Sequence, residues 1–147
     1  MVIMKKIIYI LSAVILMAAC DRMGNNDNEL TPEQRICGEW CCTDLPSGGS
    51  IYLSLSENKM FELYQQISEG RHRLYRGTWK LEENILMGKY NDGEDWASSY
   101  EVTIDKNSLT LISTDESAQK SVYQKVRIPD SVKTGSIVIV KSGQGLD

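Results

Sequence analysis

Tyr100-Glu101-Val102-Thr103-Ile104-Asp105-Lys106-Asn107-Ser108-Leu109-Thr110-Leu111 is the stretch on which the fold turns. Tyr100, Val102 and Ile104 alternate with Glu101, Thr103 and Asp105, which is the period of a strand with one buried face. Lys106-Asn107 offers two residues for a tight turn, and Leu109 and Leu111 resume the apolar face on the return.

The same alternation runs outward in both directions. Upstream, residues 85–90 and 74–82 are joined by Glu83-Asn84; Tyr75, Gly77, Trp79 and Leu81 share one face, and Arg76, Thr78, Lys80 and Glu82 the other. Residues 59–66 place Phe61 and Leu63 inward, Ile51, Leu53 and Leu55 alternate through Ser56, and residues 35–43 open the series around Trp40. Downstream, Thr114-Asp115-Glu116-Ser117 leads into residues 120–128. Pro46-Ser47-Gly48-Gly49, Glu57-Asn58 and Asn91-Asp92-Gly93 punctuate the run as turns. Eight short strands with no helical period between them call for an all-β antiparallel sheet. At eight strands a sheet can close into a barrel, which removes both edges and leaves an interior for side chains or one small ligand. A two-sheet sandwich is the rival arrangement.

Gly38-Glu39-Trp40, on the first strand, resembles the Gly-x-Trp signature of lipocalins and related calycins. The resemblance implies an eight-stranded antiparallel up-and-down lipocalin-like barrel over residues 36–128. In it Gly38 and Trp40 close one end, with the indole packed beneath Lys125 or Arg127 as a cation–π pair. Residues 38–128 are also similar to lipocalin-like domains of small lipoproteins from Gram-negative gut bacteria, above all at Arg76-Gly77-Thr78-Trp79-Lys80-Leu81 and Asn84-Ile85-Leu86-Met87-Gly88-Lys89-Tyr90-Asn91-Asp92-Gly93. That likeness bears on fold and address and carries no activity. The long helix that follows a typical lipocalin barrel is missing. Pro129-Asp130-Ser131-Val132-Lys133 can make at most a turn of helix within the C-terminal extension, residues 129–147. A second Gly-x-Trp, Gly77-Thr78-Trp79, reads as a recurrence of core packing, not as a repeat.

The N-terminus carries a different signal. Lys5 and Lys6 precede residues 7–19, a run without a charge. As a helix it would measure about 20 Å at ~1.5 Å per residue, short of the ~30 Å bilayer core. Residues 1–19 therefore read as a signal peptide. Met17-Ala18-Ala19-Cys20 resembles the lipobox of bacterial lipoproteins, which implies acylation of Cys20. Residues 20–35 follow as the lipidated cysteine and a polar, flexible tether. The expected partner is the lipid bilayer, held through Cys20 without a span, in the cell envelope and at the periplasmic or surface face of the outer membrane. Asp21 acts as an inner-membrane retention signal in some Gram-negative bacteria only, so membrane and leaflet stay open.

The leader holds two of the sixteen basic residues and none of the twenty acidic ones, leaving a net charge of −6. An acidic chain argues against nucleic acid as partner. Cys37, Cys41 and Cys42 are an odd set, and their spacing along a strand does not suit pairing, so free thiols are expected. No metal, cofactor or catalytic group is expected. Cys37, Cys41, Cys42 and His72 have no accepted ligand spacing, and Asn91-Asp92-Gly93-Glu94-Asp95 lacks a calcium loop's length. The one histidine, His72, lies in a loop between Arg71 and Arg73, where a solvated role is expected. Glu82 and Glu83 are expected on opposite faces of a strand, which is wrong for an acid–base pair.

Phe61, Leu63, Tyr75, Trp79, Tyr90, Tyr100, Val102, Ile104, Leu109 and Leu111 fall on inward faces. They either fill the barrel or line a cavity for a small apolar ligand, with tyrosine hydroxyls orienting it. Trp96 sits in a polar loop, to cap a barrel mouth or meet a partner. Ile137-Val138-Ile139-Val140, β-prone and apolar, is expected to be covered, either by adding a strand to the barrel edge or by pairing with another chain. The leading expectation is non-catalytic binding of a small apolar ligand. The alternative is a solid barrel that docks a protein or glycan through the loops around Trp96 and Arg71-His72-Arg73. The volume of the interior separates the two.

Overall fold

Alternating side chains become paired strands along the whole middle of the chain. The computed structural model describes residues 29–43, 45, 49–67 and 69–140; the leader, Cys20, most of the tether and Pro46-Ser47-Gly48 lie outside them. Within the unit that begins at Pro32, the strands are β1 (Gly38–Cys42), β2 (Ser50–Leu55), β3 (Met60–Gln66), β4 (Arg73–Glu82), β5 (Ile85–Tyr90), β6 (Tyr100–Asp105), β7 (Ser108–Ser113) and β8 (Lys120–Lys125). Each pairs antiparallel with the next. β1 then pairs with β8, setting Trp40 opposite Lys125 and Cys42 opposite Tyr123. The result is a closed, eight-stranded, up-and-down barrel and not a sandwich. The β6–β7 hairpin closes at Asp105 and Ser108 around Lys106-Asn107, with Lys106 at φ 33°.

The core is the inward face of this ring. Trp40, Leu53, Leu55, Phe61, Tyr75, Trp79, Leu86, Leu109 and Leu111 are buried there, and Leu63, Leu81, Tyr90, Tyr100, Val102 and Ile104 are half-buried against them.

The first strand is shorter than its sequence period implies. Residues 35 and 36 belong to a helix, α1 (Pro32–Ile36), not to β1. Proline at the first turn with Glu33 beside it is a helix start, and the helix drops Ile36 into the end of the barrel, 1% exposed. Lys59, from the β2–β3 turn, pairs with Glu33 at 2.6 Å.

The eighth strand also stops early, at Lys125 and not Ile128. The chain leaves the ring there because Glu39, outward on β1, accepts the backbone N–H of Ile128 at 2.8 Å. Ile128 is thereby turned onto the outside of the barrel, where it is fully buried with Tyr64 and Leu74. A second helix, α2 (Asp130–Gly135), covers this outer patch with Val132. Lys133 reaches back to Glu39 at 2.7 Å, and the Arg71 side chain donates to the carbonyl of Gly135 at 3.0 Å. Burial and the neighbouring Glu62 push the Tyr64 hydroxyl up to about 12. Glu39 feels burial too, but the Lys133 side chain and the Ile128 N–H outweigh it and hold the carboxyl below its usual range.

After α2, β9 (Ile137–Val138) runs parallel to β4, opposite Arg73 and Leu74. β5 first meets β4 at Gly77, so this end of β4 has an open edge for β9 to take. The run thus adds a strand to the barrel edge, one of the two expected pairings, but it is not covered: Ile137 is 44%, Val138 55% and Val140 75% exposed, while Ile139 alone turns toward the core. Among the described residues no helix is long and apolar enough to cross a membrane.

Trp40 is fully buried and its indole N–H donates to the carbonyl of Ile36 at 2.9 Å. Trp40→Ala is therefore expected to destabilise the barrel by about 3–5 kcal/mol. A fall in the urea midpoint at unchanged slope would register it.

Candidate functional site

The two ends of the barrel are closed by different means. At the α1 end, Gly38 adopts φ +139°, a conformation that favours glycine, and a side chain there would meet Lys125 Cε at 3.1 Å. The Lys125 ammonium lies 5.2 Å from the Trp40 ring centroid. Of the two basic residues expected over this indole, Lys125 occupies the place; Arg127 follows the end of β8 and is exposed. The second Gly-x-Trp repeats the device at the same end. Lys59 lies 4.5 Å over Trp79, whose indole N–H donates to the Ser56 carbonyl at 3.2 Å.

At the other end a connection enters the barrel. The β5–β6 ladder has only two pairs, Ile85 with Glu101 and Leu86 with Tyr100, so the wall opens above Leu86. The chain from Asn91 turns back along β5: the Tyr90 N–H donates to the Glu94 carbonyl at 2.7 Å and the Trp96 N–H to the Gly88 carbonyl at 2.9 Å. Gly88 follows Leu86 on the inward face of β5. A Cβ built on it would lie 2.0 Å from Trp96 Cε2, so the indole occupies the space that any side chain at 88 would need. The Trp96 ring meets Phe61 edge-on at 5.0 Å and 77°, and Tyr100 at 6.2 Å and 65°. Phe61 and Tyr75 in turn contact Tyr90 at 5.9 and 6.1 Å.

With the indole inside, the interior retains a cavity of about 170 Å³, lined by Leu53, Leu63, Tyr90, Trp96, Ala97, Tyr100, Leu111, Ser121 and Tyr123. That is too little for a drug-sized ligand, which takes roughly 300–1,000 Å³. Burial raises the Tyr90 and Tyr100 hydroxyls above their ordinary range, so both remain protonated donors at neutral pH. Of the inward residues read as cavity lining, Leu63, Tyr90, Tyr100 and Leu111 face this space. Phe61, Tyr75, Val102, Ile104 and Leu109 pack in or against the core.

A larger concavity, about 770 Å³, lies on the other side of Trp96. This groove is bounded by residues 78–80 of β4, 87–89 of β5 and the segment 95–99. Its walls mix Met87, Trp79 and Ala97 with Thr78, Ser98 and Ser99. Its two cations are compensated, Lys80 by Glu82 at 3.0 Å and Lys89 by Asp95 at 3.8 Å. Trp96 and Ala97 line both spaces and form the partition between them. The segment is pinned beyond Ala97: Ser98 donates to Asp115 at 2.7 Å, and the Ser99 and Thr114 hydroxyls lie 2.7 Å apart. The groove was not foreseen from the sequence, though Gly88 interrupting an inward face eight residues before a loop tryptophan is a readable sign of it.

The remaining candidates have structural roles. His72 is half-buried and not fully exposed; its Nε2 lies 2.6 Å from Ser50 Oγ and its ring 5.8 Å from Tyr52. Burial lowers its pKa, and its carbonyl accepts the Ile137 N–H at 2.8 Å, which fastens β9. Ser50 also donates to Gln66 at 3.3 Å. Arg71 caps α2 and Arg76 pairs with Glu62 at 2.8 Å, so the basic cluster is partly spent within the fold. Asp92 accepts the Glu94 N–H at 3.0 Å in the turn. Glu83 lies in the β4–β5 turn at φ 49° and not on a strand face. Cys42 is in the core, Cys37 and Cys41 are half-buried free thiols, and burial raises the pKa of both. Among the described residues no group of three His, Cys, Asp or Glu side chains is placed to hold a metal.

No family model and no curated protein matches the chain. Among solved structures, the chain is similar to an NMR structure of a protein from Bacteroides uniformis ATCC 8492, at 15% identity and a TM-score of 0.51. The match covers 71% of this chain and all of that one. At that identity the likeness concerns the fold alone.

Asp115 holds the end of the Trp96 segment. Hydrogen bonds from the side chains of Ser117, Ser98 and Ser113 pull its carboxyl down to about 2, against an ordinary value of about 3.9. A depressed acid stabilises the fold above its ordinary value and loses that contribution as pH falls through the folded one. The carboxyl carbon of Asp115 is expected to titrate by NMR near pH 2, and amide exchange at Ser117 to accelerate over the same range.

Proposed function

We propose that this protein is a lipid-anchored, non-catalytic binding protein of the cell envelope whose lipocalin-like barrel holds a small, partly apolar ligand in the groove beside Trp96. The groove's volume, about 770 Å³, is the observation that carries the reading, since ligand sites run roughly 300–1,000 Å³. Its walls combine apolar surface with hydroxyls and paired charges, a lining suited to a molecule with an apolar body and a polar end. The site is placed on the flank of the barrel because the interior is largely filled. The Gly38–Trp40–Lys125 closure and the lipobox-like Met17–Cys20 stretch support the lipocalin-like and lipoprotein parts of the reading.

One observation favours the second reading, a solid barrel that docks a partner: exposed Ile137, Val138 and Val140 leave an apolar edge beside β4. Native mass spectrometry of the full chain recovered from its host's envelope separates the two. The groove reading predicts a reproducible small-molecule adduct that is lost in Met87→Arg, which fills the groove wall with a charge. An adduct retained by that variant would put the ligand elsewhere, and the mass of the acylated chain with no further adduct would favour the solid barrel. Cys20→Ser is expected to move the chain from the membrane to the soluble fraction.

A further inference from the structure

Trp96 differs from the other two tryptophans in how it is held. The indoles of Trp40 and Trp79 are each tied by an N–H donor to a backbone carbonyl and each lie beneath a lysine. Among the described residues no such bond or cation holds the Trp96 ring; its contacts are the edges of Phe61 and Tyr100 and the bare backbone of Gly88. Its own backbone is fixed on both sides, by Gly88 before it and by Thr114 and Asp115 after it. The side chain, half-buried and without a polar tie, separates a groove of about 770 Å³ from an inner pocket of about 170 Å³.

We propose that Trp96 is a displaceable plug and that the ligand is a planar aromatic molecule whose ring takes the indole's place inside the barrel. The inference rests on the groove reading above and names the chemistry of its ligand. The inner pocket, half-open and about 170 Å³, has the size at which a cavity accepts one benzene ring, roughly 150 Å³. Rotating the indole outward joins that space to the groove and frees the volume of a bicyclic ring. The vacated position keeps the features that seat an aromatic face: two rings set steeply edge-on to it, no side chain at 88, and Tyr100 and Ser121 among the residues of the same lining. The ligand's polar end would stay in the groove among Thr78, Ser98 and Ser99. Access is lateral, through the gap where the β5–β6 ladder ends, because the far end is sealed by α1 and its two lysine-covered tryptophans.

Indole is the probe, and fluorine NMR of the full chain labelled with fluorotryptophan is the readout, with Trp40 and Trp79 as internal references. Saturating indole is expected to shift the Trp96 resonance alone, with a larger solvent-isotope effect than in the free protein, where the ring is half-buried. Gly88→Ala is expected to expose Trp96 without any ligand, because the new methyl takes the indole's space. Trp96→Ala is expected to bind indole about ten-fold more tightly, since no population is spent on opening. A Trp96 resonance unmoved by indole, or no more exposed in Gly88→Ala than in the parent chain, overturns the plug. If indole then shifts the methyl signals of Met87 and Thr78 in proton–carbon spectra of the same chain, the groove reading survives alone; if neither moves, the groove reading falls with the plug.

Discussion

A closed barrel has an interior of fixed size, and whatever its strands leave empty must be filled from its connections or stay a void. Gly88 leaves such a space on the inward face of β5, and Trp96 fills it from the adjoining segment. Much of the upper half of the molecule depends on that one substitution of a loop indole for a strand side chain. It limits the β5–β6 ladder to two pairs, folds 94–96 back along β5, and sets the segment's far side against Asp115. The same contact divides one potential space into an outer groove and a small inner cavity. Packing and site are here a single arrangement, which is why the ring that completes the core is also the ring that a ligand would have to replace.

The outside of the barrel solves another problem. Tyr64 and Leu74 point away from the core on neighbouring strands and would be exposed apolar surface. Ile128 and Val132 cover them, and the covering element is secured by polar contacts to β1 and to the β3–β4 connection, from Lys133 to Glu39 and from Arg71 to Gly135. A helix of one and a half turns suffices because the patch is small. β9 then occupies the stretch of β4 that β5 does not reach.

Much of this was readable in the residues. Period-2 alternation located all eight strands, and the resemblance carried by Gly38-Glu39-Trp40 pointed to an end closed by Lys125 or Arg127, of which the structure has Lys125. What eluded the sequence shares one physical feature: it depends on contacts between distant segments. Arg35 and Ile36 continue an alternating pattern, yet the helix start at Pro32 wins. Ile128 looks like the last residue of a strand, and only the carboxylate of Glu39 diverts it. Leu74 sits on a polar face whose burial is set by a helix sixty residues later. His72 is the loop residue it reads as, but nothing local shows that the chain brings Ser50 beside it. For the site, the inward aromatic residues were visible, but their number could not say whether they surround a space or fill it. That answer came from the missing side chain at Gly88 and the ring opposite.

The most direct measurement of this arrangement is the proton chemical shift of Gly88 in the unliganded protein. An indole face against the glycine Cα must move its Hα protons well upfield through the ring current and give cross-relaxation between them and the Trp96 ring. Upfield-shifted Hα signals with those contacts are the predicted result. Gly88 Hα signals at ordinary strand positions, with no contact to Trp96, would contradict the filled interior and the site derived from it.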